Sequence, residues 1–437
     1  MVIITSFKTY SYMKITLRLR FSIALLVLFA GLHHLHAQPL PTAKPEEVGM
    51  SSERLQRLST VFKQYADDKK MSGNVILVMR KGKVVYHEAF GMRDIESKAA
   101  MPKDAIFRIA SQTKALVSVS IMMLQEEGKL LITDNVSKYI PEFEETTVAV
   151  AKEEGAYDIV PAKRQITLRD LLTHTAGIGY GGGPAKDKWE EAGITGWYFA
   201  HREEPVGATI AKMASLPMDA QPGEKFVYGY NTDILGAVVE KASGMSLDQF
   251  IKTRITDPLG MNDTHFYLPK NKTGKLATVY SAYQDKPIEK SPVTGTMVSQ
   301  GAYVDGPRTS FSGGAGLLST ADNYARFLQM TLNGGELNGT RILSPKTIEL
   351  MTVSHTGDIE FRDGQGFGLG FYVVEDLGER GIPGSVGEYG WGGAYGSTYW
   401  VDPKEELVVV YFKQLIPTAG LDDQAKLRAL VYQAILE

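Results

Sequence analysis

Cysteine is absent from all 437 residues. That excludes disulfides, thiol nucleophiles, iron–sulfur clusters and lipid-modified cysteine, and it leaves the redox compartment unreported. A dominant charge of one sign is missing too: 47 Lys and Arg stand against 50 Asp and Glu, a net charge of −3. No basic block interleaved with aromatics occurs, so nothing gathers nucleic acid, and a small molecule is the expected ligand. Several catalytic signatures are also lacking. There is no G-x-S-x-G elbow and no H-E-x-x-H, and neither G-x-G-x-x-G nor a P-loop stands at a strand-to-helix junction. Hydride, phosphoryl and zinc chemistry thereby lose their usual marks, and no metal or organic cofactor is expected.

What is present suffices for a large core, with 43% apolar and 22% charged residues. The N-terminus carries Lys14, Arg18 and Arg20, then the apolar run Phe21 to Leu32, then "LHA" before Gln38. A basic lead-in, a run too short to span a bilayer comfortably and a small residue at the break predict a signal peptide over residues 1–37. The expected location is periplasmic or secreted, with no stable membrane span after cleavage. An uncleaved anchor is the alternative, and Met13 would give a more compact leader.

Beyond the leader, Leu55, Leu58, Val61, Phe62 and Tyr65 recur at helical spacing after a serine cap. Val75 to Met79 and Val84 to Tyr86, separated by "RKGK", predict a hairpin. The C-terminus mirrors this with the strands "STYWVDP" and "ELVVVYFKQL" and the helix "AKLRALVYQAIL". Between the two ends helical periodicity prevails, over 115–127, 168–172, 209–215, 234–243, 247–255 and 321–332. The pattern predicts an α/β (α+β) chain: an antiparallel sheet flanked by helices, built from 38–105 and about 305–437, with a mainly helical insertion over about 106–304. "GYGGGPAKDKW" and "TGKLATVYSAYQDKPIEKSPVTGT" are expected to be surface loops.

The chemistry centres on "FRIASQTKAL", which sets Ser111 and Lys114 three residues apart at a helix start. At that spacing both side chains share a face, so the amine can reach the hydroxyl. Burial disfavours a lysine's charged form, and a neutral amine can take a serine proton. The bland reading, a capping serine beside a snorkelling lysine, is the better one for the triplet alone; S-x-x-K also occurs at Ser11 to Lys14 beside the leader.

Accompanying segments reverse that judgement. "FRIASQTKALVSVSIMMLQEEGKLL", "LLTHTAGI", "PGEKFVYGYNTDILGAVVEKASGMSLDQF", "GGAGLLSTADNYARFLQMTLNGGELNGTRILSPKTIELM" and "GWGGAYGSTYWVDP" occur in that order. Together they resemble the serine β-lactamase and penicillin-binding-protein superfamily, its class C-like branch, from about Glu46 to the C-terminus. The resemblance implies a β-lactamase/transpeptidase-like fold and a serine hydrolase that works through an acyl-enzyme. By that resemblance Ser111 is the nucleophile, Lys114 its activator and Tyr228 the tyrosine that exchanges the serine proton. Tyr230 falls where an asparagine stands in the family's Y-x-N motif, and Asn231, one residue on, is the candidate for part of that polar role. Trp391, Gly392 and Gly393 stand where β-lactamases have K-T-G, and the resemblance makes the amides of Ser111 and Ala394 the oxyanion hole. Tryptophan cannot pair with a substrate carboxylate, so the pocket is expected to favour neutral esters. W-G-G is similar to family VIII carboxylesterases. The alternatives are a β-lactamase, a D-amino-acid amidase or peptidase of the cell envelope, and a penicillin binder without turnover. His174 in "LLTHTAGI" is expected to be structural.

Overall fold

The computed structural model describes residues 38–437 apart from 285, 296 and 419; the expected signal peptide over 1–37 lies outside the described residues. Helix α1 (Ser52–Asp67) begins where the Ser51 hydroxyl accepts the Arg54 amide, an N-cap of the expected kind. It leads into strands β1 (Gly73–Arg80) and β2 (Lys83–Asp94). Their turn places Lys81 and Gly82 at φ 50° and 72°, the backbone twist that two-residue hairpins favour. The short β3 (Ala99–Ala100) pairs back on β2.

Helix α2 (Thr113–Glu126) then starts the helical portion, which also contains α3 (Asn231–Ser243) and α4 (Ala321–Leu332). The chain returns to the sheet with β4 (Gln365–Phe367), β5 (Tyr372–Val374), β6 (Tyr389–Gly392), β7 (Thr398–Asp402) and β8 (Leu407–Lys413), and α5 (Asp423–Tyr432) follows. The strands lie in the order β4-β5-β6-β7-β8-β1-β2-β3, every neighbour antiparallel. The first and last strands that the chain adds to this sheet, β1 and β8, thus lie side by side, with Ile76 opposite Tyr411.

Both faces of the central strands are covered, which is why β8 reads as an unbroken apolar run. On β1, Val75, Leu77 and Met79 face α2 to α4, whereas Ile76 and Val78 face the other way with Leu58 and Phe62 of α1 and Leu427 of α5. The two-residue alternation assigns each side chain to one layer. Helix α2 is buried from Thr113 to Leu124 on every side, as expected for a helix passing through a core. It packs against α3, and α4 packs against β8. Residues 40–437 form one compact unit. No helix among the described residues is long and apolar enough to cross a membrane.

Both expected surface loops are more ordered than their composition suggests. In the first, Lys186–Glu191 is helical and buries Trp189, whose Nε1 donates to the Pro217 carbonyl at 2.9 Å. In the second, Tyr280–Ala282 pairs in parallel with Leu415–Thr418. Glycine and proline mark turns locally, and they do not report the partners a segment finds across the fold.

Candidate active site

Ser111 sits on a single 3-10 turn, Ala110–Gln112, just ahead of α2. Its hydroxyl caps neither helix, so the bland reading of the triplet fails. Ala110 is held at φ 43°, a left-handed conformation costly for a residue with a Cβ, which turns Ser111 out of the chain path. One helical turn on, Lys114 is 2% exposed, and its Nζ donates to the Gly314 carbonyl at 2.8 Å, the Tyr180 hydroxyl at 3.1 Å and Ser111 Oγ at 3.4 Å. The long third contact is the one a reacting hydroxyl can leave most easily.

Tyr228 packs its ring 4.6 Å from Lys114 Nζ, and its hydroxyl accepts the Trp391 Nε1 proton at 3.0 Å. The His174 ring backs it at 4.7 Å. Asn231 Nδ2 donates to His174 Nδ1 at 2.9 Å and to the carbonyls of Val227 and Ile178 at 3.1 and 3.2 Å, pinning the two loops that carry Tyr228 and Tyr180. Burial, and then the Lys114 charge, push His174 well below the ordinary histidine value, so the imidazole is neutral and acts as a wedge.

The C-terminal end of β6 closes the site. A Cβ on Gly393 would stand 2.6 Å from the Ile109 carbonyl, two residues before Ser111, so only glycine lets β6's continuation approach the serine turn this closely. Among the described residues the backbone amides of Ser111 and Ala394 donate to no acceptor. Ser111, Tyr228, Trp391 and Ala394 border one cavity of about 630 Å³, within the range of small-molecule sites.

A protein-family model described as beta-lactamase matches residues 58–433. The chain belongs to the beta-lactamase family. Esterase EstB of Burkholderia gladioli is 30% identical over 362 residues, covering 79% of this chain and 86% of that one. Protein Rv1367c of Mycobacterium tuberculosis is 33% identical over 385 residues, covering 83% and 91%. Among solved structures, EstCE1, described as a hydrolase with promiscuous acyltransferase activity, superposes with a TM-score of 0.74 at 28% identity, covering 87% of this chain and 98% of that one. These relatives make the chain an enzyme of the serine hydrolase superfamily with an antiparallel sheet flanked by helices.

Within this beta-lactamase family member, two expected substrate contacts lie elsewhere. Tyr230 is 0% exposed, stacks on Trp189 and donates its hydroxyl proton to the Gly196 carbonyl at 2.6 Å. Asn231 is equally buried and spent on the His174 loop. Helix α3 begins at Asn231, so its first turn points both residues behind the cavity wall. Gly392 and Gly393 border the cavity.

Three residues escaped the sequence reading. Tyr180, two residues beyond "LLTHTAGI", reaches Lys114, and burial followed by the neighbouring Tyr228 keeps its phenol well above the ordinary tyrosine value. Asp233 accepts the Ser312 hydroxyl at 2.6 Å and the Gly314 amide at 3.0 Å, bracing the turn whose carbonyl holds Lys114. Burial raises its pKa, which the Lys114 charge partly opposes. Arg362 overhangs Trp391, its guanidinium 5.0 Å from the ring. A tyrosine two residues past a recognisable motif was the one available signal; Asp233 and Arg362 had none.

Proposed function

We propose that this serine hydrolase is an exported carboxylesterase that cleaves small or short-chain esters through an acyl-enzyme. One observation carries the reading: Trp391, at the strand position where β-lactamases have lysine, turns its only polar group to Tyr228, so β6 offers an apolar wall in place of a cation. The 30% identity to an esterase and the 28% identity to EstCE1 support it. Export rests on the leader at residues 1–37.

In this mechanism the Lys114–Tyr228 pair stands one proton short of full protonation as Ser111 Oγ attacks the ester carbonyl carbon, and the serine proton fills that vacancy on the pair. The carbonyl oxygen takes up negative charge between the amides of Ser111 and Ala394. Collapse breaks the bond to the alcohol oxygen, which leaves with the proton held by the pair. Water then attacks the acyl carbon, gives a proton to the same pair, and the acid departs as Ser111 regains its hydrogen. Charge that gathers on the Tyr228 oxygen meets the indole N–H of Trp391.

The test is a substrate panel on the mature protein: p-nitrophenyl acetate and butyrate, a chromogenic cephalosporin and a D-alanyl amide, with Ser111→Ala alongside and intact-mass detection of acyl adducts. Ester turnover that vanishes in Ser111→Ala is expected, with an adduct on the wild type alone. Fast cephalosporin turnover with negligible ester activity would replace the esterase reading by the β-lactamase one.

A further inference from the structure

Tryptophan in place of lysine on β6 predicts neutral substrates, yet a cation reaches this cavity from another direction. Arg362 stands in the loop before β4, beside Phe361, and borders the same cavity as Ser111. Its guanidinium lies 4.8 Å from the Phe361 ring and 5.0 Å from the Trp391 ring, and those rings are near-parallel, 21° apart with centroids at 6.1 Å. Stacking holds the planar cation and leaves its edge, with the N–H donors, free to receive a ligand.

That edge has no partner. Among the described residues the Arg362 side chain makes no hydrogen bond or ion pair, although Glu360 and Asp363 lie close in sequence; the ionisable groups that act on it are the phenols of Tyr372 and Tyr228. Other arginines of the fold are committed: Arg80 to Glu405, Arg164 to Asp170, and Arg380 and Arg428 to Glu388. A guanidinium without a counter-ion, set on aromatic walls beside a reactive serine, is matched by a planar monoanion that takes two parallel N–H bonds. A dianion such as a phosphate would ask for a second free cation, and Lys114 is already bonded to three acceptors.

We propose that Arg362 binds a carboxylate of the substrate, so that the ester cleaved at Ser111 carries a free acid group apart from the scissile carbonyl. The proposal rests on the ester-hydrolase reading and narrows it from neutral to anionic esters. Arg362 sets specificity here and takes no part in bond breaking.

Two matched pairs test it. Mono-p-nitrophenyl glutarate against p-nitrophenyl valerate puts the carboxylate on the acyl side; 4-acetoxybenzoate against methyl 4-acetoxybenzoate puts it on the alcohol side. Each is measured with wild type, Arg362→Gln and Arg362→Lys. The ratio of kcat/KM for the acid over its neutral partner is expected to fall by about tenfold or more in Arg362→Gln for at least one pair, mainly through KM, and to recover in part in Arg362→Lys. The neutral partner divides out any general damage from losing the stack. Ratios unchanged in both pairs would overturn the proposal. If wild type cleaves no ester at all, the hydrolase reading falls, and calorimetric titration with the monoanion valerate decides the anion site alone: affinity weakened about tenfold in Arg362→Gln upholds it, and equal affinity overturns it.

Discussion

Tyr228 is held on three sides, with Trp391 on its hydroxyl, Lys114 over its ring and His174 behind it. If it moves the serine proton, Tyr228→Phe removes an acid–base group and should lower kcat by about 10²–10⁴ while KM changes little. Trp391→Phe removes one neutral donor from the phenol oxygen and keeps an aromatic wall, so a loss of about fivefold to tenfold is expected in kcat on p-nitrophenyl butyrate. Steady-state kinetics of the two variants separate the roles: a Tyr228→Phe enzyme no slower than Trp391→Phe would remove Tyr228 from proton transfer and leave Lys114 alone. Ser111, Lys114 and the run Trp391 to Ala394 were legible because each is fixed by near neighbours in the chain: one helical turn brings Ser111 and Lys114 together, and Trp391 to Ala394 follow one another along β6 and its continuation. Tyr228 was legible only through the family resemblance, since its partners are distant in sequence. Tyr180, Asp233 and Arg362 were not legible, because what places them is the path of distant loops: Asp233 matters through Ser312 and Gly314, and Arg362 through Trp391.

At the level of elements, the strands and helices could be read because burial repeats along them, with period two in the sheet and near 3.6 in the helices. The helix over 321–332 lies at the predicted residues, and the one expected over 209–215 is found at Val206–Met213. Segments without a period misled: Trp189 and Tyr280 are core residues inside stretches rich in glycine, proline and polar side chains. The junction of β6 and the serine turn gives the sharpest test of element packing. A Cβ at Gly393 would meet the Ile109 carbonyl at 2.6 Å and Ser397 Oγ at 2.5 Å, whereas at Gly392 the nearest atom is the Ser397 carbonyl at 3.2 Å. Gly393→Ala must therefore push the strand off the turn that carries Ser111, with a cost of about 1–3 kcal/mol in urea unfolding and a larger proportional loss of kcat. Gly392→Ala should retain most stability and activity. Equal effects of the two substitutions would mean that the strand yields without disturbing the serine.

For the whole molecule, burial sets the response to acid. His87, His174, His201, His265 and His355 are each held below the ordinary histidine value, with desolvation the leading cause in every case. A histidine kept neutral in the fold and free to charge in the unfolded chain stabilises the fold fully above its unfolded pKa, and that contribution is lost as pH falls through the folded pKa. The buried acids Asp219, Asp233 and Glu240 act with the opposite sign: burial raises them, and their contribution is present at low pH and lost as pH rises. The histidine effect is therefore best read at one site. His265 is lowered from 6.5 to about 4, by burial first and then by the Lys272 charge, with Lys252 acting in the same direction and Asp263 against it. Its window runs from 6.5 down to about 4. Over that window the wild type should lose stability relative to His265→Gln by up to about 1.4 kcal/mol per pH unit, less in practice because the imidazole is partly exposed and solvent screens it. Urea unfolding of both proteins at pH 7.5, 6.0 and 5.0 measures the difference, which should shift steadily against the wild type as pH falls. A difference constant across those three values would show that His265 takes its proton as readily in the fold as out of it.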